Sequence, residues 1–170
     1  IGEENKGWTY AKVLLTHERT GISGVPRGKK RLSSLKRIAR ETDDGFGSSM
    51  MENDAFKNKI AALEIDLEAI EYAELRTLAS VSAGKAPGPE SSILKIVGTE
   101  LAQRIDEAFV ELAAYHCLPF VPDQFEDGFQ GDYISPGTSA SAALTYFNNR
   151  KATIYGGSNE IQRNIICKAV

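Results

Sequence analysis

The sequence has few of the residues from which disulfide frameworks and metal clusters are built. Its 170 residues include two cysteines and two histidines: Cys117, Cys167, His17 and His116. Two cysteines cannot form the disulfide network that staples a small secreted domain, and they suit a reducing compartment. The four side chains are also too few and too badly spaced for a zinc site. We therefore expect neither a disulfide scaffold nor a bound metal.

Long apolar runs and an excess of positive charge are missing as well. No window reaches the roughly 18 consecutive apolar residues that a transmembrane helix needs, so a membrane span is excluded. The 20 basic and 23 acidic residues leave a net charge of −3, which argues against the basic face of a nucleic-acid-binding protein. The sequence contains no phosphate-binding P-loop and no Gly-x-Ser-x-Gly nucleophile elbow.

What remains is an ordinary composition, with 42% hydrophobic and 25% charged residues. That composition and length suffice for the core of one globular domain. The chain begins with Ile1 rather than methionine and shows no signal peptide. We expect it to be a piece of a longer protein.

Helical periodicity dominates the chain, and no stretch alternates polar and apolar residues as a half-buried strand does. A first helix is predicted from Gly7 to Glu41, with a kink near Pro26 and Gly28. Four further helices are predicted: from an N-cap at Asp54 to Gly84, from Glu90 to Leu118, from Ser139 to Ala152 and from Ser158 to the end. Loops are predicted over residues 42–53 and 119–138. Long helices joined by short turns stack antiparallel. The predicted fold of residues 1–170 is therefore all-α, an up-down four-helix bundle with a short extra C-terminal helix.

Apolar stripes identify the faces that these helices bury. The second helix is expected to bury Phe56, Ile60, Leu63, Leu67, Ile70, Leu78 and Val81. The third has the cleanest amphipathic pattern in the chain and is expected to bury Leu94, Val97, Leu101, Ile105, Ala108 and Leu112.

Glu18 falls inside the apolar stripe of the first helix, which is formed by Trp8, Ala11, Leu15, Ile22 and Val25. Burial of a carboxylate costs free energy unless the group is paired. Desolvation raises the pKa of a buried carboxyl group toward neutrality, which suits a general base. The pattern alone fits two roles for Glu18, a catalytic base or a structural ion pair with Arg19 or a distant arginine.

Two adjacent glycines precede the last predicted helix. Gly156 and Gly157 can adopt backbone angles that other residues rarely reach, and Ser158 can cap the helix that follows. The unpaired N–H groups at such a helix end, together with the helix dipole, can hold an anion or a polarised carbonyl. An ordinary Gly-Gly turn with a serine cap explains the same residues.

A basic run, Arg27-Gly28-Lys29-Lys30-Arg31, lies at the predicted kink of the first helix. It fits a solvated helix face. It also fits a patch that steers an anionic ligand such as the phosphates of CoA. Five residues do not decide between these roles.

Three segments resemble the acyl-CoA dehydrogenases, in the right order and at about the right distances. The run from Ile154 to Ile166, Ile-Tyr-Gly-Gly-Ser-Asn-Glu-Ile-Gln-Arg-Asn-Ile-Ile, looks like the closing signature of that family. Leu15-Thr16-His17-Glu18-Arg19 resembles its Leu-x-x-Glu-Arg on the first helix of the C-terminal bundle. The opening residues, from Ile1 to Trp8, are similar to the segment that leads into that bundle. The resemblance implies a C-terminal helical-bundle domain without the N-terminal helical and middle β domains.

Members of this family bind FAD and oxidise acyl-CoA thioesters to 2-enoyl-CoA, so the resemblance implies FAD as the cofactor and an acyl-CoA as the substrate. A glutamate takes the α-proton while the flavin accepts a hydride from the β-carbon. Many members carry this glutamate immediately after the motif tyrosine, where this chain has Gly156. Others, similar to the isovaleryl- and long-chain-type enzymes, carry it in Leu-x-x-Glu-Arg. The resemblance therefore implies Glu18 as the catalytic base.

The same resemblance implies roles for the residues around the base and for partner molecules. Substrate contacts fall to Arg19, Tyr155 and Gly156, and flavin contacts to Gly157, Ser158 and Glu160. Because dimer partners in this family complete each other's FAD sites, we expect a homodimer or tetramer, or a heteromer with a related subunit. An electron-transfer flavoprotein is the expected electron acceptor. A bacterial cytoplasm is favoured over a mitochondrial matrix as the location.

Three positions depart from the family pattern. The family's Arg-x-x-Phe-Gly, which contacts the FAD of the neighbouring subunit, is replaced by a stretch without arginine, Thr42-Asp43-Asp44-Gly45-Phe46-Gly47. Asp54 stands at a family glutamine, and Ala113–Pro119 stands at a Gln-x-x-Gly-Gly-x-Gly flavin contact. These changes leave two alternatives open. One is a non-catalytic or partner-dependent subunit of a heteromeric flavoprotein, and the other is a different flavoenzyme on the same scaffold, such as a two-component oxygenase or a nitroalkane oxidase. Glu18 argues against both.

Overall fold

The computed structural model describes residues 2–18, 23–85, 88–132 and 139–169, without the side chains of residues 15–18. These ranges contain no strand, and Asp43 and Ser49 form an isolated bridge. The α-helices are α1 (Gly7–Glu18), α2 (Val25–Glu41), α3 (Asp54–Ser82), α4 (Glu90–Ala113), α5 (Ser139–Asn149) and α6 (Asn159–Ala169). Short 3-10 turns lie at Ala114–Cys117, Pro122–Phe125 and Arg150–Thr153. The prediction of an all-α bundle with a short extra C-terminal helix is confirmed.

The predicted first helix is two helices, so the prediction of a single kinked helix is wrong. α1 ends at Glu18, and α2 begins at Val25 after Gly24, whose φ of 67° lies in the left-handed region. Pro26 lies in the first turn of α2. A proline is favourable there because its missing N–H would have no helical partner and its fixed φ suits the helix. Proline therefore starts a helix at this point instead of bending one.

The boundaries of α3 follow from its caps. Asn53, not the predicted Asp54, is the N-cap, and its side-chain oxygen accepts a hydrogen bond from the N–H of Phe56 at 3.1 Å. At the other end Gly84 takes a left-handed φ of 82°, and the N–H of Lys85 reaches back to the carbonyl of Ser80. A glycine in this conformation is the common way for a helix to end.

The predicted inner face of α3 is right over its first half and wrong near its end. Phe56, Ile60, Leu63, Leu67 and Ile70 are buried. Leu78 is 45% exposed and Val81 is half-buried, whereas Thr77 is buried instead. The hydroxyl of Thr77 donates to the carbonyl of Ala73 at 2.9 Å, so its burial leaves no unpaired donor.

α4 is the central helix and packs against α2, α3, α5 and α6. The apolar residues predicted for its inner face are buried, except for Val97, which is partly buried. Because neighbours cover several of its sides, polar residues outside that stripe are buried too, namely Ser91, Ser92, Lys95, Thr99 and Asp106. The amphipathic pattern therefore identifies only one of the buried faces of α4.

Ion pairs between neighbouring helices show how the chain runs. Lys29 pairs with Glu71 at 2.5 Å and Lys36 pairs with Glu64 at 2.6 Å, so residue numbers rise on α2 as they fall on α3. The pairs that join α3 to α4 follow the same rule: Lys59 with Glu111 and Asp66 with Arg104. α2 and α4 therefore both run antiparallel to α3, as the up-down prediction requires.

α1 is the least buried of these helices. Ala11 is half-buried, and the other positions from Gly7 to Leu14 are exposed, including Trp8 at 71%. The expectation that Trp8 lies on a buried stripe is therefore wrong for this chain. Periodicity identifies a face that can be buried, but burial needs a partner surface.

The described residues contain neither a candidate membrane span nor a candidate metal site. No described helix combines the length and apolar character that crossing a bilayer requires. No group of three or more His, Cys, Asp or Glu side chains in the described ranges is arranged to hold a metal ion.

Candidate functional site

The Gly-Gly turn before α6 has the backbone conformation that its sequence predicts. Gly156 and Gly157 have φ values of 68° and 87°, a region that residues with a side chain rarely adopt. Gln162, fully buried on α6, donates from its side-chain nitrogen to the carbonyls of both glycines, at 3.3 and 3.1 Å. The turn is thereby tied to the helix that follows it. A methyl group on Gly157 would lie 2.6 Å from that same nitrogen.

A buried polar cluster fixes the start of α6 on α4. Lys95 of α4 is 0% exposed, and its ammonium group donates to the side-chain oxygen of Asn159 at 2.8 Å. The Asn159 amide donates in turn to Glu100, which also pairs with Arg163 at 2.9 Å. Desolvation by burial lowers the pKa of Lys95, and the nearby carboxylates of Glu160 and Glu100 oppose that shift.

Ser158 and Glu160 form the exposed side of the same helix start. The Ser158 carbonyl accepts the first helical hydrogen bond, from the N–H of Gln162 at 2.9 Å. The pKa of Glu160 is lowered, first by a hydrogen bond from the Ser158 side chain and then by its own backbone N–H. Among the described residues, the N–H groups of Gly156, Gly157 and Ser158 have no backbone acceptor. Free donors therefore lie beside a carboxylate at this end of α6.

A cavity of about 410 Å³ lies between the start of α2, the middle of α4 and Tyr155. Its apolar walls include Pro26, Leu67, Leu101 and Ile105, and its polar lining includes Arg27, Arg31, Asp106 and Asn149. The volume is within the range of small-molecule sites. Of the residues predicted to contact substrate, Tyr155 lines this cavity.

Asp106 carries a buried negative charge at the wall of the cavity. It is 0% exposed, and Arg31 of α2 donates to one of its oxygens. The amide of Asn149 donates to the other oxygen at 2.6 Å. The Arg31 guanidinium also stacks over the ring of Phe109 at 4.7 Å from its centroid. Both carboxylate oxygens are thus engaged, which a buried charge requires.

Gly98 allows α2 to begin directly against α4. A β-carbon at Gly98 would lie 2.5 Å from the carbonyl oxygen of Ser23 and 2.8 Å from its Cα. Ser23 is itself buried, and its hydroxyl donates to Glu74 at 2.7 Å. This close approach fixes the position of Ser23, and with it the start of α2, against α4.

Glu18 and Arg19, predicted as the base and a substrate contact, are not placed by side-chain geometry. Glu18 is the last residue of α1, and its side chain lies outside the described residues, as does Arg19 as a whole. Five residue steps separate Glu18 from Ser23. At 3.6 Å or less per step, their Cα atoms lie within about 18 Å of each other.

Residues 42–47, where the sequence departs from the family's Arg-x-x-Phe-Gly, form an ordered loop. The carboxylate of Asp43 accepts from the N–H of Gly45 at 2.6 Å, and that of Asp44 accepts from the N–H groups of Phe46 and Ser48 at 2.8 and 3.2 Å. Such Asx turns stabilise tight loops. Phe46 is 93% exposed at the tip.

Two of the four basic residues from Arg27 to Arg31 are neutralised by ion pairs. Lys29 pairs with Glu71, and Arg31 pairs with Asp106. Arg27 is exposed at the mouth of the cavity and has no ion-pair partner among the described residues. The reading of a simple solvated face is therefore wrong for Arg31, which is drawn inward by a buried carboxylate.

Sequence reasoning missed the polar residues that support this site. Lys95 lies next to Leu94 in the stripe of α4, and nothing in the sequence marks it as buried. Arg31 precedes Leu35 by one helical turn and so lies on the same side of α2 as its apolar stripe. That spacing could have predicted that Arg31 faces the bundle. Asn159 and Gln162 are within the closing motif, but their inward orientation depends on α4.

Comparison with known proteins identifies the family. A family model described as the C-terminal domain of acyl-CoA dehydrogenases matches residues 5–170. The chain belongs to this family. Acyl-CoA dehydrogenase FadE26 of Mycobacterium tuberculosis is 27% identical over 98% of the chain and 40% of that protein. The chain thus spans about two fifths of the length of this curated relative.

Solved structures share the bundle of this acyl-CoA dehydrogenase domain. Butyryl-CoA dehydrogenase from Megasphaera elsdenii has a TM-score of 0.73 at 19% identity, over 99% of this chain and 39% of that one. The FAD complex of PigA has a TM-score of 0.77 at 16% identity, over 99% and 39% of the two chains. At such identities the likeness establishes the fold alone.

Proposed function

We propose that residues 1–170 are the C-terminal domain of an FAD-dependent acyl-CoA dehydrogenase, which oxidises an acyl-CoA thioester to 2-enoyl-CoA. The observation that supports the proposal most directly is that one cavity is lined both by the closing motif and by the segment that follows Glu18. Tyr155 of the closing motif lines it together with Ser23, which follows Glu18 by five residues. Family membership supports the reaction class, and FadE26 and butyryl-CoA dehydrogenase bear names of the same class.

Each predicted site residue has a role in this proposal. Glu18 is the base that removes the proton from the α-carbon, and Arg19 supports the substrate beside it. Tyr155 and Gly156 lie next to the thioester and the acyl chain. A glycine at position 156 cannot act as a base, and it leaves room for a branched or bulky acyl group. With glycine at position 156, the proposal assigns the proton to the Glu18 carboxylate.

The start of α6 fits a flavin ring better than a phosphate. Its free N–H groups can donate to ring carbonyls, and Gly156 carries no side chain that would block them. The carboxylate of Glu160, whose pKa is lowered by Ser158, adds a negative charge that would repel a phosphate. When bound, FAD supplies the acceptor for the hydride that leaves the β-carbon. In this proposal Gly157, Ser158 and Glu160 would hold it from this chain, and FAD is also the ligand of PigA, whose structure shares this fold.

The proposal includes partners that complete the enzyme. We infer a dimer or tetramer, or a heteromer with a related subunit, because a phenylalanine exposed as fully as Phe46 on an ordered loop suits a protein contact. An electron-transfer flavoprotein is the proposed acceptor of the electrons. The mycobacterial relative supports a bacterial cytoplasm as the location.

A second candidate is a partner-dependent subunit that contributes no base of its own. The loop at residues 42–47 favours it, because Asp43 stands where the family carries an arginine for the neighbouring FAD and Asp44 lies beside it. Two carboxylates there would repel a pyrophosphate. A heteromer in which the other subunit supplies the missing cation would tolerate that loop.

The experiment that tests the proposal is an anaerobic titration of the full-length holoenzyme with a panel of acyl-CoAs, followed by the oxidised-flavin absorbance. We expect one class of acyl-CoA to bleach the flavin. Glu18→Gln should slow the rate of bleaching by at least about 100-fold, which is the ordinary contribution of a general base. The flavin content of the enzyme should stay unchanged. Glu41→Gln, which changes an exposed carboxylate at the end of α2, is the matched control and should behave as wild type.

The outcomes separate the two candidates. Bleaching that survives Glu18→Gln would contradict the role of Glu18 and favour a base on a partner subunit. Flavin that no acyl-CoA bleaches, in a preparation containing all copurifying subunits, would contradict the dehydrogenase itself.

A further inference from the structure

The one carboxylate among the described residues at the wall of the cavity is already engaged. Asp106 is the only carboxylate among its described lining residues, and both of its oxygens accept hydrogen bonds, from Arg31 and Asn149. The carbonyl of Gly24 accepts from the N–H of Gly28 at 2.8 Å. A ligand that brings only donors would therefore find no unoccupied carboxylate oxygen among the described lining residues.

Donors, in contrast, remain without partners. The Nε–H of Arg31 is buried and has no hydrogen-bond acceptor in the structure. Arg27 and Tyr155 also line the cavity, and neither the Arg27 guanidinium nor the Tyr155 hydroxyl has an acceptor among the described residues. A buried donor without a partner is rare in folded proteins, and it indicates a missing acceptor.

The charges point in the same direction. Among the charged groups that line the cavity, two arginines face one carboxylate, so the lining carries a net positive charge. The remaining walls are largely apolar, with Leu67, Leu101 and Ile105. Such a site suits a ligand with a hydrocarbon body and an oxygen acceptor. A plain hydrocarbon chain would leave the Arg31 Nε–H unpaired.

We propose that this cavity selects acyl groups that carry an oxygen acceptor at a distance from the thioester, and that Arg31 is the residue that recognises it. The acceptor is a carbonyl, hydroxyl or carboxylate oxygen, which share the ability to receive the Nε–H. The inference rests on the proposed function, because it names the substrate class of the same site.

The test compares acyl-CoAs of equal carbon number on the full-length holoenzyme. The three compounds carry a plain alkyl end, a keto group near the end, or a terminal carboxylate. We expect kcat/KM for at least one oxygenated compound to exceed that for the plain compound by about tenfold or more, the value of one hydrogen bond to a charged donor. Calorimetric binding of the corresponding 2-enoyl-CoA products, which requires no turnover, should show the same order.

Arg31→Lys identifies the residue responsible. Lysine keeps a positive charge beside Asp106 but removes the Nε–H, so the ratio of kcat/KM for the oxygenated compound to kcat/KM for the plain compound should fall to about twofold or less. Arg37→Lys makes the same replacement on the same helix, at an exposed pair with Glu41, and should keep the full preference. If Arg31→Lys does not fold, the comparison of the three compounds on the wild type still tests whether the cavity prefers oxygenated acyl groups.

Each outcome bears on one of the two proposals. Oxidation of plain and oxygenated compounds at equal kcat/KM would overturn the inference and leave the dehydrogenase proposal standing. A preference that survives in Arg31→Lys would overturn the assignment to Arg31. Flavin that none of the compounds bleaches would overturn the proposed function, and the inference with it.

Discussion

Replacement of Gly98 by alanine should destabilise the domain, although alanine is the better helix former. Gly98 lies inside α4, where an alanine in place of glycine ordinarily gains about 1 kcal/mol. The new β-carbon would, however, lie 2.5 Å from the carbonyl oxygen and 2.8 Å from the Cα of Ser23. Both are backbone atoms, so no side-chain rotation can relieve the clash.

The size of the effect follows from the shift that the clash requires. Ordinary carbon–carbon contact begins at about 3.5 Å, so the Ser23 backbone must retreat by roughly 0.7 Å. Overpacking of this kind costs about 1–3 kcal/mol. The retreat also strains the hydrogen bond from Ser23 to Glu74, which is worth about 1 kcal/mol. After the gain in helix propensity, we expect a net loss of about 2 kcal/mol.

Urea unfolding of the 170-residue chain, followed by far-ultraviolet circular dichroism, measures this loss. For a chain of this length, about 2 kcal/mol corresponds to a fall of roughly 4–8 °C in Tm. The helical content of the folded state should be unchanged, because the substitution moves α2 against α4 without unwinding either helix.

Gly28→Ala is the matched control, since Gly28 is also a helical glycine at a helix contact. Its β-carbon would lie 2.9 Å from Leu67 Cδ1, which is the end of a flexible side chain. Rotation of Leu67 can relieve that contact, so the substitution should change stability by less than about 1 kcal/mol. Equal stability of Gly98→Ala and wild type, or an equal loss in both variants, would refute the steric reasoning.

Two further predictions concern the start of α6. Gly157→Ala should destabilise by about 1 kcal/mol more than Gly128→Ala, because both glycines have φ near 85° but only Gly157 adds a clash, with Gln162. Equal losses by urea unfolding would contradict the clash. Lys95→Met tests the buried ammonium group. In the folded chain the pKa of Lys95 is lowered below the ordinary 10.5 of the unfolded chain. At a pH between the folded and unfolded pKa values, the unfolded chain holds a proton that the folded chain has released. The stability contributed by Lys95 therefore rises with pH in that range. The unfolding free energy of wild type relative to Lys95→Met should therefore increase as pH is raised from neutral toward 10.5, and a difference that does not vary with pH would contradict this.

Much of the architecture was predictable because helix formation depends on local spacing. The stripe from Phe56 to Ile70 and the stripe of α4 identify two of the buried faces, and Gly84 marks the end of α3. The split between α1 and α2 was not predicted. Periodicity continues across residues 19–24, and the position of Gly24 in the left-handed region is a property of the folded chain.

The residues that carry the candidate chemistry were predictable to a smaller extent. The order of motifs in the sequence identified the turn at Gly156 and Gly157 and made Glu18 a candidate base, which stays a prediction. The polar support of the site came from the structure, because Lys95 and Asn159 are 64 positions apart in the chain. No local pattern relates residues at such a distance.

The sequence by itself determined the all-helical fold and the family, since helical period and short motifs are properties of neighbouring residues. Tertiary structure alone decided which polar side chains are buried. Lys95 and Asp106 can be buried only because helices from distant parts of the chain supply their partners, Asn159 for Lys95 and the partly buried Arg31 for Asp106. The cavity beside Tyr155, with its unpaired donors, is a product of that packing.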